Sequence, residues 1–516
     1  MNISIRTDAS VSIGSGHVMR CLTLAKELRD RGNEVQFICR EHVGHLAKSI
    51  KEQDFNVILL PQNNNLYLYG DNLVDEKNFL GVNEEYDAKQ TSEVIFDARP
   101  DWMIVDHYEL GSIWHSYIRN YCNNIMVIDD LANRSYECDF LLDQTYKREK
   151  TEYQKLVPAN CNINTGSNYA LLRTEFLNLR KQAFDRRKSL KNVQHILVSM
   201  GGMDPDNVTE TILEGLFLVN WSDIVTVDVV LGDKAPHLEA IRTIQSSDSI
   251  KINIITNTNN MAKLMLNADI AFGSGGTTTW ERCCLGLPSL LVISAVNQVD
   301  IVENLHSDGI IISLGWYSKL ESLNIRKSLE KLITNHLELL SMSEKSFNVC
   351  DGLGVHRVAS NLNKPFTITN ESVNLRSATL DDTKIIFKWQ RSNETRKYFN
   401  NTTCPTYDEH HKWMKTRVQN NKGYFNIILF SGVPSGVLRM EKVDKYNDGY
   451  LISILIAPEF RNKGIGRTAL MLARELLPKS KFYAEVSKEN KASIKLFLSA
   501  GYIFQNLDGC YISNPI

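Results

Sequence analysis

Gly14-Ser15-Gly16-His17 decides how the first part of this chain is read. Residues 2–6 before it read as a short strand and residues 8–13 as a turn. Residues 18–31 after it read as a helix, with Val18, Cys21, Leu22, Leu24, Ala25 and Leu28 on one face. The glycines therefore stand where a strand hands over to a helix. Backbone N–H groups are free there, and the helix dipole favours negative charge. His17 sits at the mouth of that helix, where the dipole disfavours imidazolium and favours a neutral base near pH 7. A Gly-rich turn with a histidine is equally the start of an ordinary helix, so the remaining sequence has to decide.

Outward from this stretch, strand-like runs recur at residues 35–39, 57–60, 102–105, 125–128 and 140–142, several of them followed by helical patterns. That alternation predicts a mostly parallel α/β sheet in residues 1–165. Asn-rich residues 62–71 read as a surface loop. Asp106-His107 and Asp129-Asp130 fall just past strand ends, the edge at which open α/β sheets bind ligands; capping of the next helices is the plainer reading. A second α/β unit, residues 166–360, repeats the pattern with strands at 196–199, 226–231, 251–255, 270–272 and 289–293. Met200-Gly201-Gly202 forms one turn. Gly273-Ser274-Gly275-Gly276-Thr277-Thr278-Thr279-Trp280-Glu281 forms another, with free amides, small residues and hydroxyl donors suited to a diphosphate. Glu281 is placed to accept hydrogen bonds from ribose hydroxyls, and Asn297-Gln298 returns to the ligand edge. Two such lobes predict a cleft that binds a nucleotide on one side and acts on it from the other.

The 516 residues suit three or four folded units, and a hydrophobic share of 43% with 23% charged residues is that of a globular protein. A net charge of -2 gives no electrostatic case for nucleic acid or an anionic membrane. No run approaches a membrane span and no signal peptide is evident, so a cytoplasmic location is expected. The 10 cysteines are scattered and read as reduced, with Cys283-Cys284 as core filling. No clustered ligand set points to a metal.

At these motifs the chain resembles the UDP-2,4-diacetamido-2,4,6-trideoxy-β-L-altropyranose hydrolases of pseudaminic acid biosynthesis, relatives of the two-lobed glycosyltransferases of the GT-B type. The stretches that carry the resemblance are RTDAS at 6–10, IGSGHVMRCLTLA at 13–25, IDDLANR at 128–134, YALLRTEF at 169–176, residues 199–204, 275–281 and 297–298, and DGLG at 351–354 with Arg357. The resemblance implies two Rossmann-like lobes and a hydrolase that releases UDP from a UDP-amino sugar by inverting attack of water, without a metal. It implies His17 as the base. Gly14, Ser15, Gly16, Asp129, Gly201, Gly202, Ser274, Gly275, Gly276, Thr277, Thr278, Glu281, Asn297 and Gln298 would contact the UDP-sugar.

Beyond residue 360 the character changes. Residues 361–373, with Pro365 and several Asn, read as a linker. Residues 374–516 follow with a strand, a helix, a hairpin over 427–440 and a strand over 450–456. Then comes Arg461-Asn462-Lys463-Gly464-Ile465-Gly466 and a helix over 467–477. This part resembles the GNAT acetyltransferases, an α+β fold. The resemblance implies acetyl-CoA as co-substrate, with Arg461, Asn462, Lys463, Gly464, Ile465, Gly466 and Arg467 around its pyrophosphate. Backbone at Leu455, Ile456 and Ala457 would lie beside the pantetheine arm, and Asn490 would contact the cofactor. One position departs from the family: Phe497 stands where many members carry a tyrosine as proton donor. His410, His411 and Glu441 are the candidate bases. One chain carrying both activities would N-acetylate the 4-amino group of UDP-4-amino-4,6-dideoxy-N-acetyl-β-L-altrosamine and then hydrolyse the product. The alternatives are a glycosyltransferase, or a hydrolase for a related UDP-amino sugar, with the GNAT part serving only to bind CoA or a sugar.

Overall fold

The structure, a computed structural model, describes residues 1–11, 13–62, 79–362, 372–391, 393–396, 403–418, 423–446, 448–505 and 510–515. Most of the Asn-rich loop and residues 363–371 of the expected linker lie outside them. The chain divides into two compact units, Met1–Val355 and His356–Ile516.

The first unit is built on two parallel sheets. One comprises Asn2–Thr7 (β1), Glu34–Arg40 (β2), Asn56–Leu60 (β3), Trp102–Asp106 (β4), Asn124–Ile128 (β5), Phe140–Asp143 (β6) and Asn162–Thr165 (β7), in the order β3-β2-β1-β4-β5-β6-β7. The other comprises His195–Ser199 (β8), Val225–Leu231 (β9), Ile250–Thr256 (β10), Ile270–Ser274 (β11), Ser289–Ile293 (β12) and Ile312–Trp316 (β13), in the order β10-β9-β8-β11-β12-β13. Both orders reverse direction beside their first strand. The strand ends at such a reversal open a crevice for ligands. Gly14-Ser15-Gly16 follows β1 at one reversal, and the Gly201-Gly202 and 275–278 turns follow β8 and β11 at the other. The sheets are covered by helices, and their strands read as nearly unbroken apolar runs: Trp102, Met103, Ile104 and Val105 are all buried.

Burial of charge anchors the start of the first sheet. Arg6 at the end of β1 holds Asp87 through Nε and Nη2 (3.1 and 2.7 Å) and Asp8 through Nη1 (2.6 Å). Arg40 reaches Asp87 at 2.5 Å, and Trp114 Nε1 donates to the same carboxylate at 2.9 Å. Two guanidinium groups and two carboxylates thus neutralise one another inside the lobe, and pin the chain as it leaves β1 for the glycine turn.

The second unit holds one sheet of Val373–Ser377 (β14), Gly423–Phe430 (β15), Val433–Glu441 (β16), Gly449–Ile456 (β17), Lys481–Glu485 (β18), Ile503–Gln505 (β19) and Cys510–Ser513 (β20). It is antiparallel except between β17 and β18. That parallel pairing covers only Gly449–Leu451 against Lys481–Tyr483. Past Leu451 the two strands part, and one side of β17 is left without a ladder partner.

Candidate functional site

His17 is the second residue of the helix Gly16–Asp30. Its Nδ1 lies 2.6 Å from Asp106 Oδ1, at the end of β4. Asp106 is fully buried. Burial alone would raise its pKa, yet Arg20 and His17 outweigh burial and hold the carboxyl well below its ordinary range. Because the carboxylate is ionised, the ring proton sits on Nδ1 and is donated to it, which leaves Nε2 as the basic nitrogen. Arg20, one helical turn after His17, clamps the same carboxylate with Nε and Nη2, both at 2.6 Å. Its Nη1 reaches Asp130 at 3.2 Å. Tyr108 donates its hydroxyl to Asp130 at 3.1 Å, and its ring meets the His17 ring edge-on at 4.6 Å.

The second lobe supplies the opposite wall. Asn297 Nδ2 donates to the Tyr108 hydroxyl at 3.0 Å. A methyl group at Gly16 would lie 3.9 Å from Thr277 Oγ1, so the two glycine turns face one another at close range. Gly201 has φ +108 and is exposed with Gly202; no atom lies within 4 Å of where their Cβ atoms would be. Beneath the 275–278 turn lies Arg282, fully buried. It donates to the Ser274 carbonyl at 2.6 Å and to Thr278 and Thr279 Oγ1 at 3.2 and 3.1 Å. Burial pushes its pKa down to about 10, since the neighbouring Glu281 compensates it only in part. An under-compensated cation behind a Gly-rich turn draws an anion to that turn.

Three of the expected contact residues also have partners within the protein. Asp129 is fully buried, and its Oδ2 accepts from Leu131 N, Ala132 N and the Tyr153 hydroxyl at 3.1, 2.8 and 2.7 Å. It shapes the loop, and its neighbour Asp130 faces the cleft machinery. Gln298 Oε1 accepts from Gly275 N at 3.1 Å and Ser294 N at 3.0 Å, so this side chain braces the turn and takes the Gly275 amide with it. Glu281 keeps its Oε1 on Arg173 at 3.2 Å, leaving Oε2 for a hydroxyl; burial raises its pKa.

In the second unit, Gly464 with φ +78 precedes the helix Ile465–Leu476, whose first turn has no side-chain cap. Its amides from Ile465 onward are therefore available to an anion. A cavity of about 340 Å³ lies beside β16 and β17, with His410, Trp413, Arg439 and Leu455 on its walls.

Comparison with known proteins matches both parts. Residues 386–502 fit the acetyltransferase (GNAT) family. The UDP-2,4-diacetamido-2,4,6-trideoxy-β-L-altropyranose hydrolase of Campylobacter jejuni is 26% identical over 265 residues, 51% of this chain and 81% of that protein. The chain joins a hydrolase-like region to a GNAT domain. The same span is covered by the uncharacterized protein MJ1062 of Methanocaldococcus jannaschii, 27% identical over 97% of this chain and 96% of its own. A crystal structure of MurG from Acinetobacter baumannii shares the fold of the hydrolase-like region, with a TM-score of 0.53 at 13% identity. It covers 70% of this chain and 99% of that one.

In the GNAT domain, Leu455 and Ile456 lie on the part of β17 that β18 leaves open. The Ala457 amide does not remain free, because it donates to the Ser435 carbonyl at 2.9 Å. Arg461 turns inward, to the Ile456 carbonyl and Thr395 Oγ1 at 3.3 and 3.0 Å, whereas Asn462, Lys463 and Arg467 are exposed around the loop. Gly466 is a packing position, since a Cβ there would lie 3.1 Å from Leu496. Asn490 caps the helix Lys491–Ser499 by accepting from Ser493 N at 3.1 Å, so only its Nδ2 is left for a cofactor. Phe497 is buried against Tyr502 and Tyr511. Of the candidate bases, Glu441 is bonded to Arg417. His411 stacks on Tyr407 and is exposed. His410 lines the cavity, and its Nε2 lies 3.1 Å from the Thr383 carbonyl. That carbonyl fixes the proton on Nε2 and leaves Nδ1 basic, and burial lowers the ring's pKa. Among the described residues no group of three or more His, Cys, Asp or Glu is placed to hold a metal ion. No described helix is long and apolar enough to cross a membrane.

Proposed function

We propose that the chain performs two consecutive steps on one UDP-linked amino sugar: acetylation of its free amine by the GNAT domain, then release of UDP by the hydrolase-like region. The substrate would be UDP-4-amino-4,6-dideoxy-N-acetyl-β-L-altrosamine, and the place of action the cytoplasm. The observation that carries the reading is the meeting of the His17–Asp106 pair with the Thr277 turn in one cleft.

For hydrolysis, Gly201, Gly202, Gly276 and Thr277 hold the diphosphate, with Arg282 behind the turn stabilising the charge that develops as UDP leaves. Ser274 and Thr278 shape that turn through Arg282. Glu281 takes a ribose hydroxyl. Gly14 and Ser15 bring His17 to the cleft. His17 Nε2 removes a proton from water while the water oxygen bonds to the anomeric carbon, and the bond from that carbon to the phosphate oxygen breaks with inversion. Asp106 keeps the ring in the required tautomer and stabilises the imidazolium formed. The reading assigns no step to a metal.

For acetylation, the amides of 464–467 receive the pyrophosphate and the open side of β17 at Leu455 and Ile456 receives the pantetheine arm. Acetyl-CoA supplies the activated thioester. The acceptor amine bonds to the thioester carbonyl carbon, its surplus proton passes to His410 Nδ1, the C–S bond breaks, the departing sulfur takes a proton from water, and the His410 imidazolium returns its proton to the hydroxide left behind. Buried Phe497 supports a second reading, in which the GNAT domain binds without turnover. Release of free CoA on addition of the UDP-amino sugar and acetyl-CoA tests the two: stoichiometric CoA release supports acetylation, and tight acetyl-CoA binding without release supports the second.

A further inference from the structure

The GNAT-domain cavity, about 340 Å³, is at the lower end for small-molecule sites, which run ~300–1,000 Å³. Arg439, on β16, forms part of its wall. Its Nε donates to Ser453 Oγ at 3.0 Å, and its guanidinium carbon lies 5.6 Å from the Trp413 ring centroid. The side chain is therefore held from two sides. Its outer nitrogens are not matched by charge. Among the described residues the nearest carboxylate is Glu441, 3.9 Å from Nη1, and that carboxylate is already bonded to Arg417. Burial lowers the pKa of Arg439, and Glu441 does not restore it. A positioned, half-buried guanidinium with an unfilled share of negative charge suits a planar two-oxygen anion.

Arg396 lines the cavity with Nε on the Gln390 carbonyl at 3.0 Å. The one acid on the wall among the described residues, Glu409, has its carboxylate on Thr406 N and Oγ1 at 2.7 and 3.0 Å, so it caps the helix Tyr407–Val418. His410 presents a neutral ring. A positioned guanidinium whose nearest described carboxylate is engaged elsewhere disfavours a polycationic amine and favours an amine that carries an anion.

We propose that Arg439 forms an anion subsite in this cavity, and that the acetyl acceptor is an amine covalently joined to a phosphate-type group. This deepens the acetyl-transfer reading and rests on it. Arg439 binds the acceptor's phosphate oxygens, and the amine is thereby placed beside His410 and the open side of β17.

The test is CoA release by the full chain with three acceptors: the UDP-linked 4-amino sugar, the same amino sugar with a free anomeric hydroxyl, and spermidine. The expected kcat/KM is higher for the UDP-linked amine than for the neutral sugar by about 10–100-fold, the range of one charge-assisted contact. Arg439→Gln is expected to remove that preference by raising KM for the UDP-linked amine alone, with KM for acetyl-CoA unchanged, and Arg439→Lys to restore part of it. A wild-type preference for the neutral sugar or spermidine overturns the proposal. So does a loss in Arg439→Gln that is equal for charged and neutral acceptors, which would mark a structural role. If the UDP-linked sugar is inert while another phosphorylated amine outcompetes its neutral analogue in an Arg439-dependent way, the anion subsite stands and the nucleotide-sugar reading falls.

Discussion

At the scale of single residues, the hydrolase-like cleft depends on one buried carboxylate. Asp106 meets His17 Nδ1 at 2.6 Å and Arg20 Nε and Nη2, both at 2.6 Å. Replacement by asparagine keeps the shape but lets the ring proton move to Nε2, where it blocks proton abstraction. Asp106→Asn should lower kcat for UDP release by about 10²–10⁴-fold with little change in KM, read by steady-state UDP formation. A different carboxylate, Asp87, carries stability. Burial opposes its ionisation, but Arg6 and Arg40 more than offset that and bring its pKa from 3.8 down to about 2. A lowered folded pKa means the stabilisation is complete above pH 3.8 and is lost as pH falls through about 2. Asp87→Asn should therefore cost about 3–5 kcal/mol near neutral pH. In urea titrations followed by tryptophan emission, that difference should narrow between pH 4 and 2.

At the scale of elements, the strands and the Gly-rich turns were legible because apolar runs alternate with helical periodicity and glycines punctuate the handovers. In the first unit, two strands were not. Asn162–Thr165 is short and polar on its surface, and Ile312–Trp316 carries Gly315 and pairs irregularly with β12. Which acid of a pair faces the cleft was not legible either, since Asp129 and Asp130 differ only in the direction their side chains take from one loop. Tyr108 and Arg20 were missed as site residues for the same reason, although Tyr108 directly follows the Asp106-His107 pair that marked the strand end. Arg282 sat within a recognised motif, but its burial beneath the turn is visible only in three dimensions. The turn itself makes a sharp prediction. A Cβ at Gly275 would lie 2.6 Å from Val302 Cγ2 and 3.1 Å from Gln298 Cβ, whereas at Gly276 the nearest atom is 3.8 Å away. Gly275→Ala should destabilise the first unit by about 1–3 kcal/mol and weaken UDP binding. Gly276→Ala should leave stability nearly unchanged, as measured by thermal melting with and without UDP.

At the scale of the whole molecule, a hydrolase-like region and a GNAT domain share one chain. If the two parts act in sequence as proposed, tethering raises the local concentration of the intermediate passed between them. The proposed bases, His17 and His410, lie on separate units, so the two proposed activities should be separable. His17→Asn should abolish UDP release while CoA release continues, and His410→Gln should slow CoA release by about 10²–10⁴-fold while hydrolysis of the pre-acetylated UDP-sugar continues.

The most direct measurement is mass spectrometry and NMR of the products formed by the full chain from UDP-4-amino-4,6-dideoxy-N-acetyl-β-L-altrosamine, with and without acetyl-CoA. Free 2,4-diacetamido sugar with inverted anomeric configuration, together with UDP and CoA, should appear only when acetyl-CoA is present. Acetylated UDP-sugar that is never hydrolysed, or UDP released without acetylation, would contradict the two-step account.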